Sequence, residues 1–195
     1  MDQLRKLAMK PGWIYEVVIS TFSGGLPHAA PIGVCTDDFA TLHMEVYGAS
    51  QTLSNILTTG YLVANFPVDV RMLSTVLLSP QELAYGRARK VHAPILRDSS
   101  AIVELVLDQA TPLPERMHVT AVAVHTHRSR DLRLINRAEG LLLESLILAT
   151  RVQHLGHASA AAALAENYRV ISKVAPESSY EAAMAELLQN LGLAS

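Results

Sequence analysis

Cysteine is nearly absent from this chain: Cys35 is the single one in 195 residues. An internal disulfide is therefore excluded, and the count suits a reducing compartment. Aromatic residues are scarce at 5%, so a core must come from Leu, Val, Ile and Ala, which the 50% hydrophobic content supplies amply. No sign of charge is in excess. A formal net charge of -2 gives no basic footprint for nucleic acid and no polybasic patch for a membrane surface. Long hydrophobic runs are missing too. The first twenty residues lack a continuous apolar signal core. The longest apolar region, LLLESLILAT, contains Glu144 and is too short to span a bilayer. These absences predict a soluble, cytoplasmic protein with neither nucleic acid nor membrane as partner. Its length suits one domain, or one domain with an appendage.

What is present divides into two patterns. Residues 14–21, IYEVVIST, are rich in β-branched side chains and read as a strand. Ser23-Gly24-Gly25 is a turn signal, and the segment LPHAAPIGV (26–34) follows, running on to Thr36. After Asp37-Asp38, FATLHMEV (39–46) alternates with Leu42, Met44 and Val46 on one face. The three strands form a meander. Residues 47–60 then space Leu53, Ile56 and Leu57 at helical intervals, with Ser50 or Thr52 as N-cap and Gly60 as the stop. YLVANFP (61–67) returns to strand, and a short helix around Val70–Leu78 ends at Pro80. Residues 83–92 read as a further strand or an irregular loop. Strands follow over 102–108 and 118–127, with a proline-rich loop, ATPLPER, between them. From Asp131 onward the pattern is helical. Residues 133–152 place Ile135, Leu142, Leu146 and Ala149 near one face, and Ser178 or Ser179 caps a last helix. An alanine-rich tract, ASAAAALA, spans 158–165. The chain is thus a β-rich body, 1–130, followed by a helical segment, 131–195. Strands without long crossover helices between them predict a small antiparallel barrel.

Segment 26–34 is odd for a strand. It carries Pro27, Pro31, Ala29, Ala30 and Gly33, where an interior strand avoids proline and prefers bulky residues. An edge or barrel rim tolerates the two missing N–H donors. The small side chains would let a flat ligand approach the backbone, or they mark a tight barrel corner with nothing bound. A second polar element, SQTLSN (50–55), opens the first helix. Helix N-termini offer free N–H groups and a positive dipole end to a phosphate, and Ser50, Thr52 and Asn55 would add side-chain donors.

Taken together, PHAAPIGV, then TLSNILTTGYLVANF, resemble the FMN-binding split-barrel superfamily, and its flavin-reductase-like members in particular. The chain looks most like a small family with a P-N-A-A-P-I-G-V strand and a C-terminal helix carrying E-x-x-x-x-A-T-R, here ESLILATR (144–151). The resemblance implies an antiparallel split β-barrel, mainly β with α, binding FMN at a homodimer interface. It implies a phosphate near Ser50, Thr52 and Asn55, and an isoalloxazine along His28, Ala29, Ala30, Pro31 and Ile32. His28 stands where that family has Asn, which makes this contact sensitive to pH. The flavin carries the redox chemistry, so no catalytic acid, base or nucleophile is named. The implied activity is oxidoreduction with an unassigned electron donor, linked in some relatives to tetrahydromethanopterin-dependent one-carbon metabolism. The other reading is a non-catalytic module that holds a flavin or pterin without turnover.

Remaining residues have plainer readings. His125 and His127 share a strand face but lack a third ligand at metal spacing, so no metal site is assigned. His154 and His157 fit a helix C-terminus. Cys35 reads as a buried thiol. Arg87, Arg89 and Lys90 are a solvated cluster, or they reach a phosphate across a dimer interface. Trp13 and Tyr15 are core or dimer packing, with flavin stacking as the alternative.

Overall fold

The β-branched run becomes β1 (Tyr15–Ser23). Gly24 and Gly25, both at positive φ, turn the chain back into β2 (Leu26–Cys35). The two strands pair in unbroken register from Tyr15↔Val34 to Ser23↔Leu26. The turn after β2 is fixed by Asp38, whose Oδ1 accepts from the N–H groups of Ala40 and Thr41 and from the Thr41 hydroxyl. β3 (Thr41–Tyr47) leads to α1 (Gln51–Thr59) and β4 (Tyr61–Pro67). α2 (Arg71–Leu78) and a single 3-10 turn at Pro80–Glu82 come next. Residues 83–92 prove to be both expected things. A short strand, β5 (Tyr85–Arg87), runs into an irregular turn and returns as β6 (Pro94–Leu96). β7 (Ser99–Leu113) and β8 (Arg116–Arg128) complete the body. The computed structural model describes residues 3–129, 131–150 and 157–193.

The six long strands close into an antiparallel barrel in the order β1-β2-β3-β8-β7-β4. The inward set includes Val17, Ile19, Val34, Leu42, Leu62, Ala64, Val103 and Leu105, all fully buried. Burying a Val, Leu or Ile side chain contributes about 1.5–3 kcal/mol, so this aliphatic interior supplies the stability that aromatics would otherwise provide. Closure is uneven. β3 pairs with β8 along its whole length, from Thr41↔Val122 to Tyr47↔Arg116. β2 meets β3 only at Val34↔Met44 and Cys35↔His43.

The segment ATPLPER is not a loop. β7 and β8 pair through Thr111↔His118, Pro112↔Met117 and Leu113↔Arg116, and the turn is confined to Pro114 and Glu115, the latter at φ 59°. β4 stops pairing with β7 at Val106. Beyond that point β7 has β8 as its one neighbour, and a proline at such an edge breaks no ladder. A bulge after Glu104 leaves Val124 unpaired. It lets Thr126 bury beside Val103 while His125 and His127 pair with Glu104 and Ile102.

Residues 12–14 with 136–195 form a second compact unit. It holds α3 (Arg137–Ala149), α4 (His157–Val174) and α5 (Ser179–Asn190). α3 starts later than the periodicity predicts, because the Asn136 side chain caps it by accepting from Ala138 N–H. Its buried face is Ala138 and Ser145, with Leu141, Leu142 and Leu148 packed beside them, and Leu146 lies 47% exposed. In LLLESLILA nearly every position is apolar, so periodicity cannot select the inward stripe. Ser178, not Ser179, caps α5 through Glu181 N–H. Leu164, Ile171, Val174 and Met184 form this unit's fully buried centre. Trp13 packs against it, donating from Nε1 to Pro176 O at 3.2 Å with its ring 6.1 Å from Tyr180. His157 opens α4 rather than closing a helix, and His154 lies outside the described residues, as does Arg151 of the ESLILATR motif.

Candidate functional site

β2 explains its own composition. From Leu26 to Gly33 it has β1 on one side and no ladder on the other. Pro27 and Pro31 are four residues apart and so share one side of the strand. On the open side their missing N–H groups cost no hydrogen bond. His28, Ala29, Ala30, Pro31 and Ile32 are all half-buried, in contrast to the fully buried Val17, Val18 and Ile19 opposite. The result is a low strand wall with unladdered backbone at the split of the barrel.

The start of α1 is tied to this wall. Ser50 is the N-cap: its Oγ accepts from Leu53 N–H at 3.2 Å and donates to Tyr47 O at 2.7 Å. Thr52 is not the cap. It is buried, and its hydroxyl meets Nε2 of His28 at 2.9 Å. Asn55 is buried as well, donating to Thr21 Oγ1 at 2.9 Å and accepting from Gln51 Nε2 at 2.7 Å. Thr21 stands directly across from His28 in the β1–β2 ladder. His28, Thr21, Thr52 and Asn55 therefore form one polar cluster that pins the helix start to the open strand. The side-chain donors expected for a phosphate are engaged inside the protein. The N–H groups of Gln51 and Thr52 have no partner among the described residues and are the free donors at this end.

Burial pushes the His28 imidazole below its usual range, which favours the neutral ring. Cys35 is pushed up by burial first and then by Asp37 and Glu45, so it holds its thiol proton. Both fit a site that positions a ligand rather than one that supplies a nucleophile. Among the described residues no group of three or more His, Cys, Asp or Glu could hold a metal ion.

Sequence reasoning missed a second set of polar residues, on the outer face of β1, β4 and β7. Ser20 donates to Pro94 O at 2.6 Å. Asn65 accepts from Leu96 N–H at 2.8 Å and donates to Val18 O and Ser20 Oγ. Glu104, 2% exposed, accepts from the N–H groups of Arg89, Lys90 and Val91. These three side chains hold segment 85–96 against the barrel wall. The only hint in sequence was a polar residue within each of three apolar strands.

A six-stranded antiparallel barrel, barely joined at β2–β3 and with a helix start beside the gap, is the split barrel of flavin-reductase-like proteins. The family model described as "Protein of unknown function (DUF447) N-terminal domain" matches residues 15–130, more than half of the chain, and the chain belongs to that family. A crystal structure of an FMN-bound protein from Methanosarcina mazei, which carries the same family label, matches with TM-score 0.57 at 22% identity. That match covers 96% of this chain and 99% of the other. Flavoredoxin from Methanosarcina acetivorans matches with TM-score 0.53 at 13% identity over 60% of this chain and 69% of its own. A flavin reductase in complex with NADP+ matches with TM-score 0.54 at 16% identity over 68% and 90%. Those matches bear out the split-barrel fold expected from the two sequence motifs.

Proposed function

We propose that this chain is an FMN-binding flavoprotein that works as a homodimeric oxidoreductase. The observation that carries the reading is the unladdered stretch of β2, low-walled and pinned beside the free N–H groups of α1. In a fold shared end to end with an FMN-bound relative, that is where a flat ring and its phosphate would fit. His28, Ala29, Ala30, Pro31 and Ile32 would line the ring. Gln51 and Thr52 would meet the phosphate through their backbone, while Ser50, Thr52 and Asn55 hold the helix start in place through their side chains. When bound, FMN supplies reversible hydride and electron transfer. The neutral His28 ring presents a hydrogen-bonding edge to the ligand without adding a fixed charge. Dimerisation is supported by exposed apolar residues on the barrel unit: Val68, Val70, Leu77 and Leu78 are 53–79% exposed within one short segment.

The test is an absorbance spectrum of purified protein before and after addition of FMN and desalting, with sedimentation to count chains. Retained flavin bands on a dimer are the expected result. A colourless protein that takes up no FMN overturns the reading. Anaerobic addition of NADH or NADPH then separates an enzyme, whose flavin bleaches, from a carrier, whose flavin stays yellow. A tetrahydromethanopterin derivative is the acceptor to assay once a donor is found.

A further inference from the structure

We infer that the barrel carries a second ligand site, for the phosphate of a small organic phosphate monoester, on the outer wall of β7 and β8. A cavity of about 330 Å³ opens there, at the lower end of small-molecule pockets. Its wall includes Arg87, Arg89 and Arg97 from segment 85–97, and Ser99, His125 and His127 from the barrel strands. Strand order puts this wall away from the β2–β3 gap: β7 lies between β8 and β4. The inference does not rest on the flavin reading.

Three observations point to an anion. First, three arginines line one small cavity. Arg87 and Arg89 have no ion-pair partner among the described residues, and Arg97 donates from Nε to Tyr85 O at 2.9 Å. Second, the one carboxylate in the wall, Glu104, is already occupied. Both its oxygens accept backbone N–H groups from residues 89–91, and its single charge offsets one of the three arginines. Third, two polar atoms of the wall are orphaned. Nε2 of His125 and Oγ of Ser99 are each shielded from solvent and lack a hydrogen-bond partner among the described residues. Buried polar atoms are nearly always paired, by protein, water or ligand.

The number of donors selects the anion. A carboxylate offers about four acceptor positions in one plane, which a single guanidinium fork can fill. Three guanidiniums, a hydroxyl and an imidazole suit the tetrahedral oxygens of a phosphate. The cavity exceeds what a bare phosphate needs, and Ile95 and Ile102 give it an apolar side for a short organic portion.

Calorimetric titration tests this, with orthophosphate and with glycerol phosphate, at constant ionic strength set by chloride. Glycerol phosphate is expected to bind more tightly than orthophosphate, equally well to the protein with and without FMN. Arg87→Gln and Arg89→Gln should each lower that affinity at least tenfold, while Arg71→Gln, a surface arginine paired to Asp69, leaves it unchanged. Ser99→Ala, which keeps every charge, should lower it severalfold. Binding no stronger than that of chloride overturns the site. Binding abolished by saturating FMN overturns its separateness from the flavin. Equal affinity for the two phosphates overturns the organic ligand.

Discussion

Glu104→Gln is the sharpest test of how segment 85–96 is held. The carboxylate is 2% exposed and receives three backbone N–H groups: Arg89 at 2.8 Å on Oε1, and Lys90 and Val91 on Oε2. Glutamine has the same shape but only one accepting oxygen. Its best placement puts that oxygen at the Oε2 position and turns the NH2 toward Arg89 N–H. One hydrogen bond to a charged group is lost, worth about 1.5–3 kcal/mol, and two donors are left facing each other, at about 1–3 kcal/mol. Relief from burying a charge offsets part of this, and about 3 kcal/mol of destabilisation remains. For a body of this size that lowers the melting midpoint by about 10 °C.

The decisive assay is hydrogen exchange at single residues. In the wild type the amides of Arg89, Lys90 and Val91 should be protected although they sit in an irregular turn. In the variant Arg89 should lose protection first and most, because its acceptor is the one replaced. The amides of Val63 and Val103, within the barrel ladders, should change only by the global shift. A midpoint drop below about 2 °C, with exchange at residues 89–91 unaltered, would refute the reasoning.

Two further outcomes follow from single side chains. The His28 ring is held below its usual range by burial, so the unfolded chain binds the proton more readily. The sign is then fixed: stability is full above the unfolded value near 6.5 and falls as pH drops from there through the lowered folded value. His28→Asn should flatten the difference between melting midpoints at pH 8 and pH 5.5, and an unchanged difference counts against this role. In the helical unit, Leu164→Ala empties a fully buried position and should cost about 2–5 kcal/mol in denaturant unfolding. A loss below about 1 kcal/mol would mean the site collapses around the smaller residue.

The legible parts of the sequence were those where local chemistry and long-range packing agree. β1 was readable because its β-branched run is buried on both faces. The α1 boundaries were readable because Ser50 and Gly60 each satisfy a specific helix end, Gly60 at φ 71°. The prolines of β2 were a true signal, since an interior strand could not hold them. The same rule misled at ATPLPER, where Pro112 and Pro114 suggested a loop. What the sequence did not reveal was that β4 ends early and leaves β7 an edge, a fact about a neighbour some fifty residues away in the chain. Asn65 and Glu104 were hidden for a similar reason. A single polar residue in an apolar strand has no period, and its partners, Leu96 and residues 89–91, belong to a short hairpin and its irregular turn, distant in the chain from Asn65.

Residues of β2 and α1 explain how such a small, aliphatic barrel tolerates an open seam. β2 keeps its edge because no strand ladders onto it, and an exposed edge invites pairing with another chain. Proline at 27 and 31 blocks that pairing at alternate donors while leaving the ladder to β1 intact. The polar cluster of Thr21, His28, Thr52 and Asn55 then adds directional bonds to the apolar packing of Leu53 and Ile56 that seats the helix beside the gap. A buried hydrogen-bond network sets distance as well as affinity, and here it ties the start of α1 to the unladdered stretch of β2 through His28–Thr52 and Thr21–Asn55.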